Sequence, residues 1–186
     1  MIINLNFKNK IFLILLLFSI SNLFGQTNES YELLNQIKLN LFNFVEGDTI
    51  NLYENQIEFP NQKEFFTKEF LTNYTFPTLG VDSMKVRKMI IKLNLTYLSR
   101  QYQQIEKWEA GKINYSVRFS VPQNDVRKLY KVSYPIFTEN RKFAFIYYEK
   151  LIVNGDYIDS GSGTVKVYQK KHGRWRFYVQ IPIFIS

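Results

Sequence analysis

The chain has no cysteine among its 186 residues. That excludes disulfide staples, thiol nucleophiles and thiolate metal sites. It excludes a bacterial lipoprotein anchor too, since there is no thiol to acylate. Histidine is nearly absent. His172 is the single one, and it stands in Lys171-His172-Gly173, where a solvated turn residue is the simplest reading. A catalytic imidazole needs an orienting carboxylate and a nucleophile within hydrogen-bond reach. The apolar run Ile11 to Ile20 falls short of the roughly 20 residues of a membrane helix. There is no internal repeat, no low-complexity tract and no long block of like charge, so the charges read as a solvated surface. Nor is there a phosphate loop or a nucleophile elbow. Ser160-Gly161-Ser162-Gly163 is not followed by Gly-Lys-Ser/Thr, and Ile158 occupies the place of the elbow's first glycine.

What is present begins with an address. Lys8 and Lys10 flank the apolar run, Ser21-Asn22 breaks it, and Gly25 offers a small residue before Gln26. Residues 1–25 read as a signal peptide and residues 26–186 as a single domain. The expected destination is the periplasm or the outside of the cell, with no stable membrane anchor after cleavage. Net charge is +8, with 24 basic and 16 acidic residues. Residues 1–25 hold two lysines and no acid, so the remainder keeps 22 basic residues against 16 acidic ones. A basic balance points to acidic partners. After export these are an unknown protein or an anionic or glycan ligand at the cell envelope, with nucleic acid disfavoured. Four Asn-x-Ser/Thr tripeptides, at Asn28, Asn73, Asn94 and Asn114, matter only where exported chains are glycosylated.

Residues from Ser133 to the end carry the strongest pattern. Trp175, Phe177, Val179, Ile181, Ile183 and Ile185 take every second position, so simple alternation points them one way. Arg174, Arg176, Tyr178, Gln180 and Pro182 would then point the other. Thr164 to Gln169 alternates as well, and Lys171-His172-Gly173 predicts a hairpin turn between the two runs. Phe143 to Lys150 is apolar and aromatic at both parities, as suits a central strand covered on both sides. Thr138 to Arg141 is the turn leading into it. The expected result is a β-meander of about four to five antiparallel strands.

Upstream, Leu33, Leu34, Ile37, Leu41 and Phe44 recur at helical steps behind a cap at Thr27 or Asn28, with Gly47 as the stop. Asp48 to Phe59 reads as a strand-like connector. Asn61 to Glu64 resembles a capping box before a short helix carrying Phe65, Phe66, Phe70 and Leu71. Pro77 and Gly80 mark a loop. Met89 to Leu95 is ambiguous between strand and helix. One helix starting at Ser83 is favoured, interrupted near Leu95-Thr96, with Leu98, Tyr102, Ile105 and Trp108 continuing at helical spacing as far as Gly111. Ile113 to Val121 alternates like a strand, and Asn124-Asp125 is a turn. Helices first and a meander last define an α+β domain with N-terminal helices packed on a C-terminal antiparallel sheet, expected on one face of it.

Several short stretches are distinctive together: Ser133-x-Pro135-Ile136-Phe137, Ala144-Phe145-Ile146-Tyr147, Gly161-Ser162-Gly163, Val167-Tyr168-x-Lys170, Gly173-Arg174-Trp175 and Ile185-Ser186. In this order they resemble the C-terminal half of a group of small exported bacterial proteins of unknown function. The likeness covers roughly the last ninety residues. It implies export and a shared sheet, and no activity. Members of the group often carry cysteine near the glycine-rich turn; this chain has none, so no thiol role transfers.

The candidate binding residues are Tyr148, Lys166, Tyr168, Arg174, Arg176 and Tyr178, with Lys150 beside them. Alternation gathers many of them on one sheet face opposite Trp175, where rings beside cations suit sugars, anionic head groups or an acidic protein surface. The bland reading is a half-exposed face whose long side chains cover apolar surface. Asn154, Asp156 and Asp159 put oxygens in one loop, but Ile158 interrupts the alternate spacing a calcium loop needs. Glu149 has no second carboxylate placed beside it, and a solvated or lysine-paired state fits it better than acid–base work. No catalytic residue, metal or cofactor is assigned. The expected function is a non-catalytic binding or interaction module using a sheet face. The alternative is a small enzyme, such as a hydrolase, with a pocket of the NTF2-like or cystatin-like kind.

Overall fold

The structure is a computed structural model, and it describes residues 28–42, 49–74, 83–101, 107–119, 127–154 and 157–185. The signal segment 1–25 lies outside these residues. So do Phe44, Gly47, Pro77, Gly80, Tyr102, Ile105, Val121, Asn124, Asp125 and Asp156.

Residues 28–42 are helical, here α1. Then follow β1 (Ile50–Asn51), α2 (Gln62–Phe65), α3 (Lys68–Tyr74), α4 (Ser83–Ile91), α5 (Leu95–Arg100) and β2 (Val117–Arg118). The remainder is strand: β3 (Arg127–Val132), β4 (Ile136–Phe137), β5 (Phe143–Asn154), β6 (Tyr157–Lys171) and β7 (Arg174–Ile185). The main sheet has the order β3-β5-β6-β7, with β4 also on β5, and all its pairs are antiparallel. The expected α+β arrangement is therefore present. No helix among the described residues is long and apolar enough to cross a membrane.

The sheet is the middle layer, with helices on both faces rather than one. On the first face lie Val132, Phe137, Ala144, Ile146, Tyr168 and Trp175. They pack against Leu33, Leu34, Ile37 and Leu41 of α1, which are at most 2% exposed. On the second face lie Ile136, Phe145, Tyr147, Val165, Val167 and Val179, packed against Phe65, Leu71, Val86, Ile90 and Leu98 from α2 to α5. Each of the large aliphatic and phenylalanine side chains among them contributes about 1.5–3 kcal/mol on burial. Period-two alternation in β5 and β6 sends successive residues into the two cores, and so Phe143–Tyr148 has no polar parity.

One expectation fails in β7. Val167 pairs with Val179 but Tyr168 pairs with Phe177, leaving Tyr178 as an extra residue. This β-bulge shifts the phase of the strand. Trp175 and Phe177 join the α1 side, whereas Val179, Ile181 and Ile183 join the α2–α5 side. The polar residues switch with them. Arg176 pairs with Gln169, but Gln180 pairs with Lys166 and Pro182 with Thr164, on the opposite face.

Local chemistry corrects other details. Asn61 sits at φ 42° with no side-chain cap, so there is no capping box; its carbonyl accepts from Phe65 N at 2.8 Å instead. The aromatic segment after it forms two short helices, broken at Phe66-Thr67. The helix from Ser83 stops at Ile91, earlier than expected, because Asn94 caps a new one: its Oδ1 accepts from Tyr97 N at 3.0 Å. That helix ends at Arg100, and Trp108 follows in extended chain, its N donating to Glu54 O at 2.8 Å. Of the expected strand 113–121, Val117–Arg118 pairs in parallel with β1. Ile113 is buried, and Tyr115, Val117 and Phe119 pack on the α1 core. The connector residues Leu52 and Ile57 bridge to Tyr130 and Ser133 along the outer edge of β3.

Candidate functional site

The six residues singled out in the sequence fall into two groups, because the β6–β7 register pairs Arg174 with Lys171 and Arg176 with Gln169, on the face opposite Lys166 and Tyr168. Tyr148, Lys166 and Tyr168 face α1. Arg174, Arg176 and Tyr178 lie at the other face, near the β6–β7 turn.

The first group is interior. Lys166 is 7% exposed. Its ammonium donates to the carbonyl of Asn40, in the last described turn of α1, where a cation complements the helix dipole. Its Nζ lies 4.8 Å from the Tyr148 ring centroid and 5.9 Å from that of Phe177. Burial pulls the Lys166 ammonium down to about 8. Burial pushes the Tyr168 phenol well above its usual value, and the neighbouring Tyr148 raises it further. Tyr148 is raised by burial and partly brought back by a hydrogen bond from Thr164. The Tyr168 hydroxyl is buried without a hydrogen-bond partner among the described residues. Glu149 likewise has ordinary partners: it accepts from the Tyr147 hydroxyl at 2.8 Å and pairs with Lys131 at 3.7 Å.

The second group borders a cleft of about 500 Å³. One wall is α4. Val86, Met89 and Ile90 bury its inner stripe, and the repeat of Lys85, Lys88 and Lys92 keeps its ammonium groups in solvent. At 1.5 Å rise per residue these three span about 10 Å. The facing wall is made by strand ends. The turn Thr138–Lys142 is fixed by Asn140, whose Oδ1 accepts from Thr138 Oγ1 at 2.9 Å and from Lys142 N at 3.0 Å. Lys142 O accepts from Lys170 N at 2.9 Å, which carries the ladder one step past β5 and sets Lys142 beside the end of β6. Gln169 and Lys171 of β6 and the bulged Tyr178 complete the wall. Phe143 and Tyr178 meet edge to face there, with centroids 5.5 Å apart at 68°.

Among the described residues the lining is strongly basic: five lysines against one carboxylate, Glu139, leave it at +4. Asn94 Nδ2 donates to Glu139 Oε1 at 3.0 Å, which ties the two walls at one end. Arg174 and Arg176 are exposed and pair with Lys171 and Gln169 of the lining. Directly paired residues share a sheet face, so both arginines extend the basic rim.

Lys85, Lys88, Lys92, Lys142, Lys171 and Tyr97 are therefore the site residues that sequence reasoning missed. The signal available was the i, i+3, i+7 repeat of lysine on α4. Its partners come from the β4–β5 and β6–β7 turns, far along the sequence, and only the fold brings them to it. His172 is an exposed turn residue at φ 50°. Asn154 pairs with Tyr157, so Asp159 belongs to strand β6 and not to a loop. Ser160–Gly163 likewise lies within β6.

No family model, curated protein or solved structure matches this chain.

Proposed function

We propose that this chain is an exported, non-catalytic binding module whose ligand is anionic and is held in the cleft between α4 and the β4–β5 and β6–β7 ends of the sheet. The observation that carries the reading is the convergence of five lysines on one concavity, against one carboxylate among the described lining residues. Ammonium groups gathered around low-dielectric walls raise the local concentration of anions. A volume of about 500 Å³ lies within the roughly 300–1,000 Å³ typical of small-ligand clefts. Among the described lining residues Glu139 is the only carboxylate, a composition that favours holding an anion over two-carboxylate hydrolysis. The binding surface is thus the cleft and its Arg174–Arg176 rim, with Tyr178 in its wall. Lys166, Tyr148 and Tyr168 serve the interior.

A ligand that binds only the folded chain raises its melting temperature by mass action. Sulfate, citrate and pyrophosphate are expected to stabilise the protein in order of valence. The Lys85→Gln/Lys88→Gln/Lys92→Gln variant should lose that response while keeping its own melting temperature within about 2 °C, since these side chains are exposed. An equal anion response in wild type and variant would place the binding elsewhere. Export rests on the basic-flanked apolar run at 11–20, and the resemblance to small exported bacterial proteins supports it. Intact mass of the protein recovered from the periplasm or medium should correspond to a chain starting at Gln26, and recovery only as the full-length cytoplasmic chain would refute this.

A further inference from the structure

We infer that the anion taken by the cleft is a segment of an acidic glycan, a chain bearing one carboxylate or sulfate on each sugar, and not an isolated phosphate. This rests on the anion-binding reading above and narrows it.

Three features point this way. The first is the kind of cation. Among the described residues the five cations inside the cleft are lysines, and the arginines Arg174 and Arg176 stand only at its rim. A single phosphate or carboxylate held in one orientation is best met by the planar guanidinium fork, with its paired parallel hydrogen bonds. Lysine offers a compact, mobile point charge, suited to several anions met in succession. The second is spacing. Lys85, Lys88 and Lys92 lie on one stripe of α4 and its closing turn, at steps of about 4.5 and 6 Å along the axis. This is a row, not a ring, so it matches a charge repeated along a chain better than charges clustered at one point. Lys142 and Lys171 give the facing wall cations of its own. The third is what lies between the rows. Tyr97, Phe143 and Tyr178 line the same concavity and are half-buried. The Phe143–Tyr178 pair is edge to face, so the two rings present differently oriented surfaces to the cleft. Aromatic rings give a flat apolar surface with a polar tip, against which the C–H face of a pyranose lies while its hydroxyls meet amide groups. Gln169 supplies such an amide. An inorganic anion has no use for this apolar strip, and an acidic peptide would carry its carboxylates on flexible stems with no ring to stack.

The test is calorimetric titration of the purified protein with four probes: tetragalacturonate, galacturonate, pyrophosphate and a tetraglutamate peptide. Tetragalacturonate should bind most tightly, with galacturonate, pyrophosphate and the peptide at least about tenfold weaker. The Lys85→Gln/Lys88→Gln/Lys92→Gln variant should bind it about thirtyfold more weakly, as expected for three solvent-exposed charge contacts. Tyr97→Ala should weaken tetragalacturonate while leaving pyrophosphate unchanged, a split that a purely electrostatic site would not show. If pyrophosphate or tetraglutamate binds as tightly as tetragalacturonate and is lost in the lysine variant, the glycan assignment is wrong and the anion cleft stands. If none of the four binds, both fall.

Discussion

At the scale of single residues, Lys166 is the most consequential. Its ammonium is buried with a backbone carbonyl and two aromatic rings as partners, and desolvation brings it from 10.5 to about 8. At neutral pH it is charged in both states, and the folded protein bears the desolvation cost. Between the folded value and the unfolded one, the unfolded chain binds the extra proton, so stability rises with pH across that window. The shift corresponds to about 3 kcal/mol at full effect. The buried phenols act in the opposite sense. Tyr115, Tyr147 and Tyr168 all have raised values, so their contribution is complete below about pH 10 and is lost as the unfolded chain ionises above it. Urea midpoints should therefore climb from pH 7 to about 10 and fall beyond. Lys166→Met is expected to stabilise the protein by about 1–2 kcal/mol at pH 7, with the gain vanishing near pH 10. An equal gain at both pH values would show that the lysine is not the source of the slope.

At the scale of elements, the bulge in β7 decides which side chains meet. Deleting Tyr178 removes the surplus residue and leaves the pairs on either side of it in place, Tyr168 with Phe177 and Val167 with Val179, so each buried side chain keeps its face. Equilibrium denaturation should therefore show a loss close to that of Tyr178→Ala, about 1 kcal/mol, since that variant gives up the same ring but keeps the bulge. A loss of more than about 4 kcal/mol on deletion alone would show that the two halves of β7 need the bulge itself to seat in their separate cores. The alternation of Trp175 to Ile185 was plain in the sequence, but the bulge was not. Apolar residues stay at every odd position through it, so the pattern reads the same whether or not the phase shifts. The break between α4 and α5 is a related case. The flanking lysine and methionine favour helix, and only the capping chemistry of Asn94 marks the interruption.

At the scale of the whole molecule, two cores share one sheet. β5 and β6 supply side chains to both, so neither core can dissolve while the other keeps its strands. Leu34→Ala under α1 and Leu98→Ala under α5 remove fully buried side chains in different cores. Each should cost about 2–5 kcal/mol, and both should shift the same single transition, with circular dichroism and tryptophan fluorescence coinciding. Separate transitions would show that the layers unfold independently. The sequence made the central, doubly covered character of β5 legible through its lack of a polar parity. It did not assign helices to faces, because α1 and α4 are both amphipathic and either stripe fits either side of a sheet. The lysine cleft was illegible for the same reason: its two walls meet only once that choice is made.

The bulge also has a geometric outcome for the molecule's outline. Before Tyr178 the solvent-facing residues of β7 are Arg174 and Arg176, on the α2–α5 side; after it they are Gln180 and Pro182, on the α1 side. Along this margin the helical layers therefore cover opposite halves of the sheet, like two tiles laid with a diagonal offset. Each uncovered corner is the complement of a covered one, and one of them is the lysine-lined hollow. The mouth of that hollow is thus bordered by the surplus residue Tyr178, whose ring stands in its wall beside Phe143.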